Sequence, residues 1–141
     1  MSEEESRALL IPLAEKARKR AYAPYSHYLV GAAVLCADGS VYSGCNIENA
    51  AFGPTLCAER CAFASAIADG KREFTAIAVI GGEEGEEDSH PTVPCGVCRQ
   101  FMREFCPPDF LIYCHEKNGQ YRTYPLAELL PYGFGPEFLQ S

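Results

Sequence analysis

Three cysteines and one glutamate carry the chemistry that this sequence can do. They sit in two short blocks, Cys57-Ala58-Glu59-Arg60 and Pro94-Cys95-Gly96-Val97-Cys98-Arg99-Gln100. Zinc takes sulfur and nitrogen ligands in tetrahedral sites, and catalytic zinc leaves its fourth position open for water. Three cysteines therefore suit a catalytic ion better than a closed structural one. Glu59 follows the first cysteine closely enough to reach that fourth position without filling it. Each block reads as the start of a helix, where unpaired N–H groups and the helix dipole stabilise a thiolate. Cys95 and Cys98 then share one face of a helical turn and can chelate a single ion, with Gly96 letting the backbone approach.

Three thiolates on Zn²⁺ leave a formal charge of about −1, a poor arrangement for acidifying water. Arg60 and Arg99 each directly follow a motif residue. A guanidinium donating to a ligand sulfur would withdraw electron density, and Arg60 is the better candidate. A structural zinc would need a fourth ligand, for which His27, His90 and His115 are the candidates. Each reads better as a surface or core histidine.

The elements that must position these residues follow from periodicity. Ser6 to Arg20 has apolar residues at helical spacing and a basic end, read as a solvated helix terminus. Val30 to Cys36 and Val41 to Cys45 read as strands around an Asp38-Gly39 turn. A second helix is expected from near Thr55, as N-cap, to Asp69-Gly70. Phe74 to Ile80 reads as a strand covered on both faces. Gly81 to Val93 reads as an acidic loop and Pro94 to Phe105 as the third helix. Phe110 to Cys114 and Gln120 to Tyr124 form a hairpin through Asn118-Gly119. A short helix over Pro125 to Leu130 and a tail from Pro131 to Ser141 complete the chain. The expectation is one domain, 1–141, in the α/β class, with a mixed sheet of about five strands and helices packed on its faces.

At 141 residues with 22% charged residues, the chain has the composition of a single globular domain. Its net charge of −7 argues against a phosphate-binding surface. No apolar run approaches the roughly 20 residues that span a bilayer, and the N-terminus is acidic where a leader would be basic. A cytoplasmic protein with neither nucleic-acid nor membrane partners is expected. Of the eight cysteines, Cys36, Cys45, Cys61, Cys106 and Cys114 fall outside the metal motif and read as reduced thiols packed like small hydrophobes.

The ordered pair Cys-x-Glu and Pro-Cys-x-x-Cys is a known signature of zinc-dependent nucleobase deaminases. Further segments narrow it: Tyr22-Ala23-Pro24-Tyr25-Ser26, Gly44-Cys45-Asn46-Ile47-Glu48-Asn49-Ala50, Leu129-Leu130-Pro131 and Phe134-Gly135-Pro136. With these, residues from about Ala21 to Gln140 resemble the small homotetrameric cytidine deaminases. The resemblance implies a three-layer α-β-α fold whose last two strands are antiparallel. It also implies hydrolysis of free cytidine and deoxycytidine to uridine and deoxyuridine plus ammonia, in pyrimidine salvage. One Zn²⁺ per subunit would be held by Cys57, Cys95 and Cys98. Glu59 would take a proton from zinc-bound water as the hydroxide attacks C4, pass it to ring N3 and later protonate the leaving amine. Asn46 and Glu48 resemble the pair that binds the sugar 3′-hydroxyl, in a substrate-contacting stretch reaching Phe52. The backbone of Ala58 would hold the pyrimidine carbonyl, and Phe134 resembles the aromatic that a neighbouring subunit places against the base.

Two positions depart from the family pattern. Phe52 stands where Tyr is frequent, and Tyr28 where a Phe commonly packs near the base, adding a hydroxyl that bears on substrate preference. Three other functions compete. A polynucleotide deaminase is opposed by the acidic charge, by Glu48 in the path of a 3′-linked chain, and by the Asn118-Gly119 hairpin, since that family runs its last strands parallel. A blasticidin deaminase shares the zinc motif but fits the Asn-Ile-Glu-Asn block and Phe134-Gly135-Pro136 less well. A zinc-stapled binding module would make Glu59 dispensable.

Overall fold

The first helix starts earlier than its apolar periodicity suggests, because a polar first turn caps it. In the computed structural model, which describes residues 1–86 and 91–140, α1 spans Glu3–Arg18. Ser2 Oγ accepts from Glu5 N–H at 3.1 Å and Glu5 Oε1 accepts from Ser2 N–H at 3.3 Å, a reciprocal capping box. Pro12 lies inside the helix, but it and Ala8, whose carbonyl loses a donor, face solvent. The basic end does more than meet water. Arg18 Nε donates to Leu29 O at 3.1 Å and its Nη2 to Glu83 O at 3.0 Å, tying α1 to two strands.

Five strands follow in the order β2-β1-β3-β4-β5: β1 Tyr28–Cys36, β2 Val41–Cys45, β3 Phe74–Glu83, β4 Leu111–His115 and β5 Tyr121–Pro125. β1 pairs antiparallel with both β2 and β3, β3 and β4 are parallel, and β4 and β5 are antiparallel. The sheet is therefore mixed, with the last pair antiparallel. Its hairpin has Asn118 at φ 60° and Gly119 at φ 72°, the left-handed pair that a tight reversal of this hand requires.

Side chains alternate across the sheet and sort into two cores. Ala33, Leu35, Ala78, Ile80 and Tyr113 meet Leu10 and Ala14 of α1. Val34, Ile77, Val79 and Ile112 meet the other layer, made by Ala62, Phe63 and Ala66 of α2 (Ala58–Ala68) and Cys98 and Met102 of α3 (Gly96–Phe105). The three-layer arrangement is thus present. All eight cysteines are free, and Cys36, Cys106 and Cys114 are buried as packing residues.

Several boundaries differ from expectation. α2 starts at Ala58 with Cys57 as N-cap, because Leu56 is still extended and bridged to Ile47, while Thr55 Oγ1 accepts from Asn49 N–H at 3.2 Å. Likewise α3 starts at Gly96 with Cys95 as N-cap. β1 starts at Tyr28 and β3 runs to Glu83, since Gly81, Gly82 and Glu83 pair with Val30, Leu29 and Tyr28. The first residues of the expected acidic loop are therefore strand, and His90 lies outside the described residues. The short fourth helix, α4, is Leu126–Leu129, and the tail forms one 3₁₀ turn, Pro136–Phe138.

The seating of α2 on the sheet depends on Gly44 in β2. A Cβ there would lie 2.5 Å from Ala62 N and 2.7 Å from Ala58 O, both in the helix that carries Glu59. Gly44→Ala is expected to destabilise the fold by about 1–3 kcal/mol, as overpacking does. Urea unfolding checks this, and a wild-type midpoint would mean that the helix yields freely.

Candidate metal centre and substrate cavity

Two helix starts meet at one point. The Sγ atoms of Cys57, Cys95 and Cys98 all lie within 4.8 Å of one another, with Cys57 and Cys95 sulfurs 3.6 Å apart. Cys57 and Cys95 are N-caps of α2 and α3, and Cys98 is the buried residue of the first turn of α3. Neither cap side chain bonds a backbone N–H of its own helix, so the sulfurs are left to face one another.

Such crowding sets the electrostatics. The Cys98 thiol and then the Arg60 guanidinium pull Cys57 down to about 5, while the Cys57 sulfur and burial push Cys98 up. Among themselves the three sulfurs sustain one thiolate at the expense of another. A dication removes that conflict, so the donor set fits a soft divalent ion with sulfur ligands, as zinc is. Among the described residues no histidine joins the group. His27 Nδ1 lies 3.3 Å from Glu84 Oε2 at the surface, and His115 is buried edge-on to Tyr121. Arg60 and Arg99 take different partners. Arg60 Nη2 donates to Cys57 Sγ at 3.6 Å and to Thr55 O at 3.4 Å. Arg99 instead donates to Pro94 O at 2.7 Å and Leu129 O at 2.8 Å, bracing α3 against α4.

A cavity of about 370 Å³ opens beside the sulfurs, a size usual for small-molecule sites. Tyr28, Val30 and Asn46 form one wall, residues 55–59 another, and Pro91, Thr92, Val93 and Cys95 a third. Glu59 is only 4% exposed, and burial pushes its carboxyl up to about 7. Ala58 is fully buried beside it, at the first position of α2 where backbone donors are unpaired. Among the described residues, no lysine or arginine lines this cavity.

The remaining expected residues divide between cavity and surface. Asn46 lines the cavity, but its amide also grips the start of β1. Its Oδ1 accepts from Val30 N–H at 2.9 Å and its Nδ2 donates to Tyr28 O at 2.8 Å. Glu48 Oε1 accepts from Tyr25 N–H at 2.9 Å and Ser26 N–H at 3.1 Å, and its Oε2 accepts from the Ser26 hydroxyl. That hydroxyl, foremost, holds the carboxyl below its ordinary range. Phe52 is exposed at φ 61°, edge-on to Tyr25 with ring centres 5.9 Å apart. Phe134 is exposed too, stacked on Phe138 at 5.2 Å, with its carbonyl accepting from Gln100 Nε2 at 2.8 Å. Glu48, Phe52 and Phe134 do not line the cavity. Sequence reasoning missed the wall made by Pro91, Thr92 and Val93. Only its nearness to Pro94-Cys95 signalled it, inside a stretch whose acidic residues read as loop.

Residues 4–114 match the family model described as the cytidine and deoxycytidylate deaminase zinc-binding region. The chain is 47% identical over 130 residues to a cytidine deaminase of Sporosarcina psychrophila, covering 92% of each protein. It is 46% identical over 131 residues to a cytidine deaminase of Halalkalibacterium halodurans, covering 93% of this chain and 96% of that one. The crystal structure of cytidine deaminase from Burkholderia pseudomallei superposes with a TM-score of 0.82 at 43% identity, over 95% of this chain and 100% of that one.

The donor set predicts about one zinc per chain in purified protein. Cys95→Ser, an exposed position that leaves the core intact, is expected to lower that content by at least about tenfold under dialysis. Elemental analysis checks both, and retention of full zinc by the variant would exclude Cys95 as a ligand.

Proposed function

The chain belongs to the cytidine and deoxycytidylate deaminases, and on that footing we propose that it hydrolyses free cytidine and deoxycytidine to uridine and deoxyuridine with release of ammonia. The observation that carries the choice of nucleoside over nucleotide is the cavity wall, which offers no cationic side chain to a phosphate. The overall charge of −7 points the same way.

Cys57, Cys95 and Cys98 hold zinc in this reading. Bound there, it supplies the Lewis acidity that makes water nucleophilic at neutral pH. Glu59 moves the protons. A carboxyl at about 7 can be either acid or base near neutrality, as a group must that passes one proton from water to N3 and then a second, from the hydroxyl newly bonded to C4, to the leaving amine. Burial secures this state and also shields the transfer from bulk water. An unpaired donor of the first turn of α2, at Ala58, takes the pyrimidine carbonyl. Arg60 withdraws charge from the Cys57 sulfur.

Asn46 and Glu48 take the sugar hydroxyl. An amide nitrogen carries two donors and Asn46 commits one to Tyr28 O, while Glu48 receives three donors and keeps acceptor capacity. Tyr28 packs near the base and Phe52 closes the outer rim. Phe134, exposed and away from its own cavity, serves the site of a neighbouring copy in a homotetramer. The role is pyrimidine salvage. Eight unpaired cysteines suit a reducing compartment, the cytoplasm.

Two measurements test this. The zinc-loaded protein should convert the ultraviolet spectrum of cytidine into that of uridine, and Glu59→Gln should lower kcat by at least about a hundredfold while zinc is retained. No conversion by zinc-loaded wild type removes the nucleoside reading, and an active Glu59→Gln removes the proton-transfer role. Light scattering should give the mass of a homotetramer; a stable active monomer would sink the shared site.

A further inference from the structure

Tyr28 departs from the aromatic pattern by one hydroxyl, and that hydroxyl has a protein partner. Tyr28 Oη and Thr92 Oγ1 lie 2.8 Å apart, and both residues line the substrate cavity. Thr92 is itself 9% exposed and pinned a second time, its N–H donating to His115 O at 3.0 Å. The pair lies directly on bare backbone of β3. A Cβ on Gly81 would be 2.6 Å from Thr92 Oγ1 and 2.9 Å from Tyr28 Cε1, so neither side chain can settle inward. The backbone of Tyr28 is gripped as well: Ser26 Oγ accepts its N–H at 3.0 Å and Asn46 Nδ2 donates to its carbonyl at 2.8 Å.

We propose that Thr92 is a positioning residue for nucleoside binding, acting through Tyr28. Its hydroxyl locks the Tyr28 ring as a cavity wall and straps the 91–93 segment across the sheet from β4 to β1. The proposal rests on the cytidine reading above. The Tyr28 hydroxyl is then engaged within the protein, and what the substrate meets is the face or edge of a fixed ring. Thr92 does not touch the reacting atoms, so its loss acts on the binding of substrate more than on turnover.

Four variants test the idea by a double-mutant cycle on KM and kcat for cytidine: Thr92→Val, Tyr28→Phe, both together, and Thr92→Ser. Each single hydroxyl removal deprives its part-buried partner's hydroxyl of that bond, and KM is expected to rise about fivefold with a smaller change in kcat. Together they should raise KM by about the same fivefold, not by the roughly 25-fold that independent sites would give. Thr92→Ser keeps the hydroxyl and should bring KM back to within about twofold of wild type. Multiplying effects in the double variant, a wild-type KM in Thr92→Val, or a Thr92→Ser as impaired as Thr92→Val would each overturn the proposal while leaving the cytidine reading in place. A wild type that converts no cytidine overturns the reading, and the proposal falls with it. Zinc content and the unfolding midpoint, measured on every variant, separate a shift in KM from a general loosening of the fold.

Discussion

Three sulfurs within reach of one another form an arrangement that a protein without a cation would avoid. Cys57 gains an easy negative charge, and it does so by burdening Cys98. Everything nearby serves to hold that arrangement in place. Two helices must begin at the same point, and the strands that precede them, β2 and β3, flank β1 on its two sides. Gly44 must be bare for α2 to sit low enough, and Arg99 braces the start of α3 from below. The fold can be read as a scaffold that keeps two N-caps in register.

Much of this was visible in the sequence because it rests on short-range rules. Cys95 and Cys98 share a face by helical geometry, Asn118-Gly119 fixes an antiparallel hairpin, and alternation sorts β1 and β3 into two cores. What was hidden depends on contacts distant in the chain. Thr55 looked like a cap by residue type, but a bridge between Ile47 and Leu56 keeps the backbone extended for two residues more. The extension of β3 through two glycines and a glutamate has no apolar signature, since it depends on pairing with Tyr28–Val30. Thr92 offered nothing to notice until Tyr28 was placed beside it.

Residues expected to meet substrate also have structural duties. Asn46 stitches the entry of β1 to the end of β2, and Glu48 closes the turn at Tyr25 and Ser26. These bonds fix both side chains within the protein itself. Replacing Asn46 thus loosens a wall of the cavity, and replacing Glu48 loosens the turn at Tyr25 and Ser26. Loss of binding in such a variant is therefore a compound effect.

The distribution of sulfur has one more consequence, in the currency of oxidative damage. Burial pushes Cys106 upward and Cys114 up to about 12, so these thiols stay protonated and out of reach of peroxide, which attacks accessible thiolate. Susceptibility to oxidation is thereby separated from cysteine number. A chain with eight thiols confines its vulnerability to a few accessible sulfurs. Cys57 and Cys95 of the cluster are among them, and a bound ion would shield both for as long as it stayed.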